Sequence, residues 1–265
     1  MLAAFKNNWK LYLMEALGLA IFMVSACFFS AMLFSPNSSW YHLFPNDMVR
    51  NIVMGPMMGL TALFIFYSPV TAPSGAHINP AVTVTFLRLG KISKENAAFY
   101  MLFQFIGGTV AVFGMQWLMG STLSGAPVNS AVTVPGKTGV VNAAITEFFI
   151  GFIMISMVLF TSVSKQLKKH TRKFAACLVC CYVIFAGPVS GFGMNPARSF
   201  ASAFPSGIYT AFWIYMLIPF AGMLAAAEFF VSIRAVKRKC RLRIVHKNLN
   251  LKKRNNEKVF KDFTY

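Results

Sequence analysis

A short motif that is repeated in the two halves of the chain constrains its fold most strongly. The tripeptide Asn-Pro-Ala occurs twice, as Asn79-Pro80-Ala81 and Asn195-Pro196-Ala197. Proline is favoured at the first position of a helix, and an asparagine just before it can cap that helix. Each motif therefore predicts the start of a half-helix whose positive dipole end points at the loop before it. Two such half-helices in one membrane chain indicate an inverted repeat with a site at the midplane.

The composition places both motifs in a membrane protein. Hydrophobic residues make up 57% of the 265 positions, charged residues only 12%, and the mean hydropathy is +0.59. A soluble domain would carry about 25% charged residues. A helix needs about 20 apolar residues to cross the ~30 Å hydrocarbon layer. Segments of roughly that length run over about 11–34, 49–70, 96–119, 143–163, 174–189 and 208–233.

Two further apolar segments, about 79–89 and 195–204, follow the motifs and are half as long. The sequence thus predicts an all-α membrane protein with six transmembrane helices plus two re-entrant half-helices in an inverted repeat. No small-residue cleavage site follows the first span, so we expect it to be retained as an anchor and not removed as a signal peptide.

The basic residues predict the orientation of these spans. With the N-terminus in the cytoplasm, the cytoplasmic side holds all 25 Lys and Arg residues except Arg50, Lys137 and Arg198. Such a bias favours two cytoplasmic termini. The net charge of +18 is therefore a topology signal. The basic C-terminal tail is expected to lie against anionic headgroups of a plasma or inner membrane and not to bind nucleic acid.

Other landmarks repeat between the two halves. Glu15 in the first span corresponds to Glu147 in the fourth, and Gly107 in the third corresponds to Gly222 in the sixth. Because each half holds three spans, an odd number, the second half is inverted and the two half-helix N-termini face each other at mid-depth. Three of the five cysteines share one apolar stretch with no His or carboxylate beside them, so we expect no metal site.

These features resemble the major intrinsic protein family, the aquaporins and aquaglyceroporins. The resemblance covers about residues 10–233 and rests on the paired Glu and Gly positions and on the stretches SGAHINPAVT (74–83) and GFGMNPARS (191–199). It implies a right-handed helical bundle with a pore in every protomer, a homotetramer, no cofactor and no enzymatic activity. The implied organisation is an aquaporin-like channel domain at 1–233, with repeat halves at about 10–119 and 140–233, and a basic cytoplasmic tail at 234–265.

The resemblance also implies roles for individual residues. Asn79 and Asn195 would present side-chain amides to a passing solute, while Glu15 and Glu147 would brace the two loops by accepting backbone hydrogen bonds. A proton-relay role of the two glutamates is the alternative, since intramembrane carboxylates often carry function. His77 is expected either to line the inner vestibule or to be a satisfied structural histidine.

Selectivity in this family depends on four outer-filter positions, which spacing from the motifs carries over to Gly59, Val183, Phe192 and Arg198. Water-selective members have a bulky aromatic residue, a histidine and a small residue at the first three positions, and this chain has no such pattern. The resemblance therefore implies a wider, more apolar aperture, in which hydroxyl groups bond Arg198 and a carbon backbone passes along Phe192 and Val183. A slip of one residue at Gly59 would place Met58 or Leu60 there and narrow the pore.

The chain departs from glycerol facilitators at Ser199, where they have Asp. At Tyr215 and Met216 it resembles the nodulin-like intrinsic proteins, which pass glycerol, urea and undissociated metalloid acids. The implied function is a passive channel for water and small neutral solutes that excludes ions and protons. Its partners would be these solutes, membrane lipid and its own subunits. A water-selective aquaporin, a coupled secondary transporter that uses Glu15 or Glu147, and a non-conducting scaffold are the alternatives.

Overall fold

A computed structural model describes residues 1–235 of the chain, and within that range the regular structure is helical. The predicted tail, 234–265, lies outside the described residues apart from its first two. The chain separates into the units Met1–Ala227 and Glu228–Tyr265, and the division predicted at residue 233 stays a prediction. The principal helices of the described range are α1 (Leu2–Phe34), α2 (Asp47–Tyr67), α3 (Pro80–Arg88), α4 (Lys94–Met119), α5 (Val140–Val163), α6 (Thr171–Phe185), α7 (Pro196–Ser206) and α8 (Phe212–Ala235).

Five of these helices, α1, α2, α4, α5 and α8, are long and apolar enough to cross a membrane. The remaining predicted span, the fifth in chain order, corresponds to α6, which has only 15 residues and is followed by the short helix Gly187–Ser190. Pro188 explains the interruption, because proline lacks the N–H that would bond one turn back and its ring restricts the residue before it. Helix α1 begins nine residues earlier than predicted, since residues 2–10 contain no Gly or Pro to stop it.

The two half-helices begin where the motifs predict. The side chain of Asn79 accepts a hydrogen bond from the backbone N–H of Ala81 at 2.8 Å and so caps α3. Asn195 caps α7 in the same way, with Ala197 and Arg198 donating at 3.1 and 3.2 Å. Helix α3 has nine residues and α7 has 11, so both are far too short to cross the bilayer. The predicted six spans and two half-helices are confirmed.

The internal repeat is built on two close helix contacts. A Cβ atom added to Gly107 on α4 would lie 2.2 Å from the carbonyl oxygen of Ala16 on α1. In the second half, a Cβ atom added to Gly222 on α8 would lie 2.2 Å from the carbonyl oxygen of Phe148 on α5. Only glycine permits helices to approach this closely. Ala16 and Phe148 directly follow Glu15 and Glu147, so the two contacts place the paired glutamates at matching points of the repeat.

We predict that Gly107→Ala destabilises the fold, because the new methyl group must push α1 and α4 apart. Overpacking of this kind costs about 1–3 kcal/mol. Gly114→Ala on the same helix is the matched control, since a Cβ atom there meets nothing within 4 Å. Thermal unfolding of the purified full chain in detergent should show a lower Tm for Gly107→Ala and no loss for Gly114→Ala. Equal Tm values for the two variants would contradict the close contact.

Candidate functional site

A fully buried glutamate holds the loop that precedes α3. One carboxylate oxygen of Glu15, Oε1, accepts hydrogen bonds from Oγ of Ser74 at 2.6 Å and from the N–H of His77 at 2.9 Å. The other oxygen, Oε2, accepts from the N–H of Ile78 at 2.6 Å and from Nε2 of Gln104 at 2.8 Å. Four donors therefore converge on this carboxylate, as a buried acidic group requires.

Glu147 holds the loop before α7 in the same manner. Its Oε1 accepts from Oγ of Ser190 at 2.7 Å and from the N–H of Gly193 at 2.8 Å, and its Oε2 accepts from the N–H of Met194. The side chain is also fully buried. The geometry agrees with the predicted bracing role, because both carboxylates have their acceptor sites directed at loop backbone and not at open space.

The loops need such support because their backbone is strained. Ala76, Ile78, Phe192 and Met194 have φ angles of +48°, +41°, +50° and +50°, in the left-handed region that favours glycine. Each such residue costs of order 1–3 kcal/mol and persists only where the surroundings fix it. The residue types give no signal of this conformation. It is imposed by the hydrogen bonds to Glu15 and Glu147 on the neighbouring N–H groups.

Two tyrosines that the sequence analysis did not place in the site add a second support. The hydroxyl of Tyr100 on α4 donates to the carbonyl oxygen of Ser74 at 2.8 Å, and the hydroxyl of Tyr215 on α8 donates to that of Ser190 at 2.7 Å. Both tyrosines lie seven residues before the glycine of the close helix contact in their half. This matching register is the sequence signal that could have identified them.

The two motif asparagines are tied to each other's loops. Nδ2 of Asn79 donates to the carbonyl oxygen of Met194 at 2.9 Å, and Nδ2 of Asn195 donates to that of Ile78 at 2.6 Å. Each Oδ1 is occupied by its helix cap. A primary amide carries two N–H donors. Each asparagine therefore has one N–H engaged across the repeat and a second available to a solute.

Two cavities lie on either side of the strained loops. We call them the inner and the outer cavity, after the predicted orientation. The inner cavity has a volume of about 220 Å³, and its lining includes Asn79, Asn195 and His77. The outer cavity has a volume of about 780 Å³, and three of the four predicted filter residues line it together. These are Val183, Phe192 and Arg198.

The fourth predicted filter residue, Gly59, lines neither cavity. A Cβ atom added there would lie 2.9 Å from Cβ of Cys180 and 3.1 Å from the carbonyl oxygen of Ala176, so Gly59 is a packing position against α6. With Gly55 it forms a Gly-x-x-x-Gly pattern, which lets helices approach closely. The prediction for Gly59 is therefore wrong.

Met58 occupies the place that the sequence analysis gave to Gly59. It lines the outer cavity with Arg198, and its Sδ lies 3.7 Å from Oγ of Ser25. Successive residues on a helix point about 100° apart at 3.6 residues per turn. A slip of one residue thus turns a pore position into a helix contact. Because a methionine side chain stands where a bare glycine was expected, the opening is narrower than the sequence predicted.

The position of His77 is compatible with both roles considered for it, which stay predictions. It lines the inner cavity, and its ring is fixed by two contacts. The ring is stacked on Phe86 with centroids 4.9 Å apart, and Nδ1 lies 3.2 Å from Oγ1 of Thr83.

Arg198, at the first turn of α7, has Nη1 3.5 Å from Oγ of Ser202. The guanidinium thus places a fixed positive charge at the outer cavity, next to the positive end of a half-helix.

Comparison with known proteins gives a consistent result. The model of a family described as "Major intrinsic protein" matches residues 3–230. Aquaporin NIP1-4 of Oryza sativa subsp. japonica is 36% identical over 162 residues, which cover 61% of this chain and 58% of that protein. Aquaporin NIP1-2 of Arabidopsis thaliana is 31% identical over 180 residues, covering 66% of this chain and 60% of that protein. The matched segment is thus less than two thirds of the length of either relative.

The fold also matches a solved structure. The X-ray structure of the aquaglyceroporin from Plasmodium falciparum aligns with a TM-score of 0.68 at 20% sequence identity. The alignment covers 84% of this chain and 95% of that one. At this identity the likeness shows the fold, and it agrees with the six spans and two half-helices described above.

We predict that Glu147→Gln lowers the thermal stability of the protein more than Tyr215→Phe does. Gln has nearly the same shape as Glu, but its amide group replaces one acceptor oxygen by an NH₂ donor. This donor would face the N–H groups of the loop, and a buried unsatisfied group costs about 1–3 kcal/mol. Tyr215→Phe removes one neutral hydrogen bond, worth about 0.5–1.5 kcal/mol. Tyr209→Phe, at a half-exposed position, is the control. An unchanged Tm for Glu147→Gln would argue against bracing.

Proposed function

The chain belongs to the major intrinsic protein family, and we propose that it forms a passive transmembrane channel for small uncharged solutes. The solutes are water, glycerol and similar polyols, with urea and metalloid acids as further candidates. The observation that carries the proposal is the pair Asn79 and Asn195. Each is fixed by a cap and a cross-repeat hydrogen bond, and both line one cavity where the two half-helices meet.

The loops supply a solute with the hydrogen bonds that it loses on leaving water. The free N–H groups of Asn79 and Asn195 act as donors to a water or hydroxyl oxygen. Carbonyl groups of the irregular loop backbone act as acceptors, and such backbone is tolerated at membrane depth only where it lines a wet cavity. A neutral solute therefore exchanges hydrogen bonds at little cost, as the selectivity of narrow pores requires.

Ions meet two separate barriers in the same pathway. The N-terminal ends of α3 and α7 carry partial positive charge, and Arg198 adds a full one, so cations and protons are repelled. An anion would have to shed its water shell beside Val183, Phe192 and Met58, which offer no hydrogen bonds in return. Burial of an unpaired charge in apolar surroundings is very costly.

The positions of the two buried glutamates favour a channel over a coupled transporter. A carboxylate that carries protons or sodium must face the pathway and change its partners during transport. Glu15 and Glu147 line neither cavity and are engaged by loop backbone and hydroxyl donors. Met58 narrows the outer cavity, and this favours the water-selective alternative. A methionine side chain is flexible, however, and can move aside to let small polyols pass.

The remaining parts of the proposal concern the setting of the channel. We infer a homotetramer in a plasma or inner membrane, with both termini in the cytoplasm and lipid around the subunits. The basic residues between α5 and α6 and in the first turn of α6 support this orientation, as they should stay on the cytoplasmic side. They are Lys165, Lys168, Lys169, Arg172 and Lys173.

The proposal is tested by stopped-flow measurements on proteoliposomes that contain the full chain. We expect water and glycerol to equilibrate faster than in empty liposomes, with no solute accumulation and no ion-driven flux. The reason is that the pathway offers hydrogen bonds to neutral solutes only. Glycerol and water rates equal to those of empty liposomes would contradict a channel, and uphill accumulation abolished by Glu147→Gln would favour the transporter.

The corrected filter gives a paired prediction. Met58→Ala should raise glycerol flux several-fold relative to water flux, because it removes a side chain from the outer cavity. Gly59→Ala should lower the yield of folded protein, since its methyl group meets Cys180, and leave the glycerol-to-water ratio unchanged. The same stopped-flow assay compares both variants with the unmodified chain. A changed ratio for Gly59→Ala together with an unchanged one for Met58→Ala would reverse the assignment.

A further inference from the structure

The inner and outer cavities share two residues in their linings, Phe22 and Phe192. Asn79 and Asn195 line only the inner cavity, and Met58, Val183 and Arg198 line only the outer one. Both phenylalanine side chains therefore lie at the boundary of the two cavities, where a solute moving from one to the other would meet them. We propose that Phe22 on α1, together with Phe192, sets the upper size limit of the solutes that pass, an inference that rests on the proposed channel function.

Phe22 lies at the inner end of the face that α1 turns to the outer cavity. Ala26, Ser30 and Phe34 line the outer cavity from the same helix, at intervals of four residues. This spacing places them on one helix face with Phe22. From α1, only Phe22 also lines the inner cavity. Phe22 is therefore the α1 residue at which the linings of the two cavities meet.

The Phe192 ring at this boundary is held in a fixed position. The N–H of Phe192 donates to Oγ of Ser190 at 3.2 Å, and the next N–H, that of Gly193, donates to Glu147 at 2.8 Å. The Phe192 ring also packs on Tyr182, with centroids 5.8 Å apart. Because loop and ring are both anchored, Phe192 gives a rigid wall, and the width at this boundary then depends on Phe22.

Two aromatic rings select by size because neither offers a hydrogen bond to the solute. A small neutral molecule can slide between two apolar faces while it keeps contact with polar groups at its ends. A longer polyol must lose several hydrogen bonds at once and also needs more width. Arg198 and the two asparagines would then recognise the solute by hydrogen bonds. The two rings would set the largest cross-section that can pass.

The Phe22 ring packs against the buried apolar core, but it makes none of the hydrogen bonds that hold the two loops. It takes no part in a helix cap, a loop brace or the fixed positive charge. Phe192 differs, because its backbone has a φ angle of +50° and its neighbours bind Glu147. Substitution at Phe22 therefore isolates ring size from loop structure.

The test compares the full chain with Phe22→Ala and Phe22→Trp in proteoliposomes, with water, glycerol and the five-carbon polyol ribitol as probes. Phe22→Ala should raise ribitol flux at least fivefold relative to water flux, because the gap widens. Phe22→Trp should lower glycerol flux at least fivefold and reduce water flux less. Phe28→Ala is the matched control, since Phe28 lies on the same helix but is 40% exposed on its outer surface.

Folding of each variant is checked by thermal unfolding, and Phe22→Leu replaces Phe22→Ala if the smaller side chain gives no folded protein. An unchanged ribitol-to-water ratio for the folded small variant and an unchanged glycerol-to-water ratio for Phe22→Trp would overturn the inference. Equal effects of Phe28→Ala and Phe22→Ala would do so as well. If the unmodified chain passes neither glycerol nor water, the proposed function fails, and this outcome is distinct from the first two.

Discussion

The structure depends on two buried carboxylates that accept hydrogen bonds from loop backbone. Irregular backbone cannot lie in hydrocarbon with its N–H groups unsatisfied. Glu15 and Glu147 provide the acceptors at the place where the chain turns from a loop into a half-helix. Burial of a carboxylate is itself unfavourable, and three or four charge-assisted hydrogen bonds offset that cost. Without them the positive φ angles of the loops would relax and the two asparagines would lose their common cavity.

The two halves reach the same geometry with different side chains, which shows that the constraint acts on the backbone. Both halves keep the glutamate, the tyrosine and the glycine contact, but Gln104, which binds Glu15, has Pro219 as its counterpart in α8. Likewise Thr83 bonds the carbonyl oxygen of Asn79, whereas the buried hydroxyl of Ser199 has no partner among the described residues. Hydrogen bonding around the loop is therefore denser in the first half than in the second. The second half holds Phe192 and Arg198, the two predicted filter residues that lie on or next to a loop.

The framework was predictable because its signals are local. The lengths of the apolar segments predicted the membrane spans. The capping chemistry of Asn79-Pro80 and Asn195-Pro196 predicted where the half-helices begin. The helix face at Gly59 was not predictable by counting from Asn79, because the intervening loop must have a known length before the register of α2 is fixed. One residue of error rotates the side chain by about 100°. The positive φ angles at Ile78 and Met194 could not be predicted, since carboxylates far away in the sequence impose them. Phe22 could not be predicted either, because nothing distinguishes it from the other phenylalanines of an apolar span.

Support and selection are assigned to different residues in this molecule. The bracing side chains Glu15, Glu147, Tyr100 and Tyr215 are buried and line neither cavity. Three of the side chains that shape the pathway, Phe22, Met58 and Val183, lie on helices and make none of the hydrogen bonds that hold the loops. Substitution at a bracing position should therefore cost stability, whereas substitution at a pathway position should change which solutes pass. Since these helix positions carry no bracing role, members of one fold can differ there in the width and polarity of the pathway while the strained loops and their asparagines stay in place.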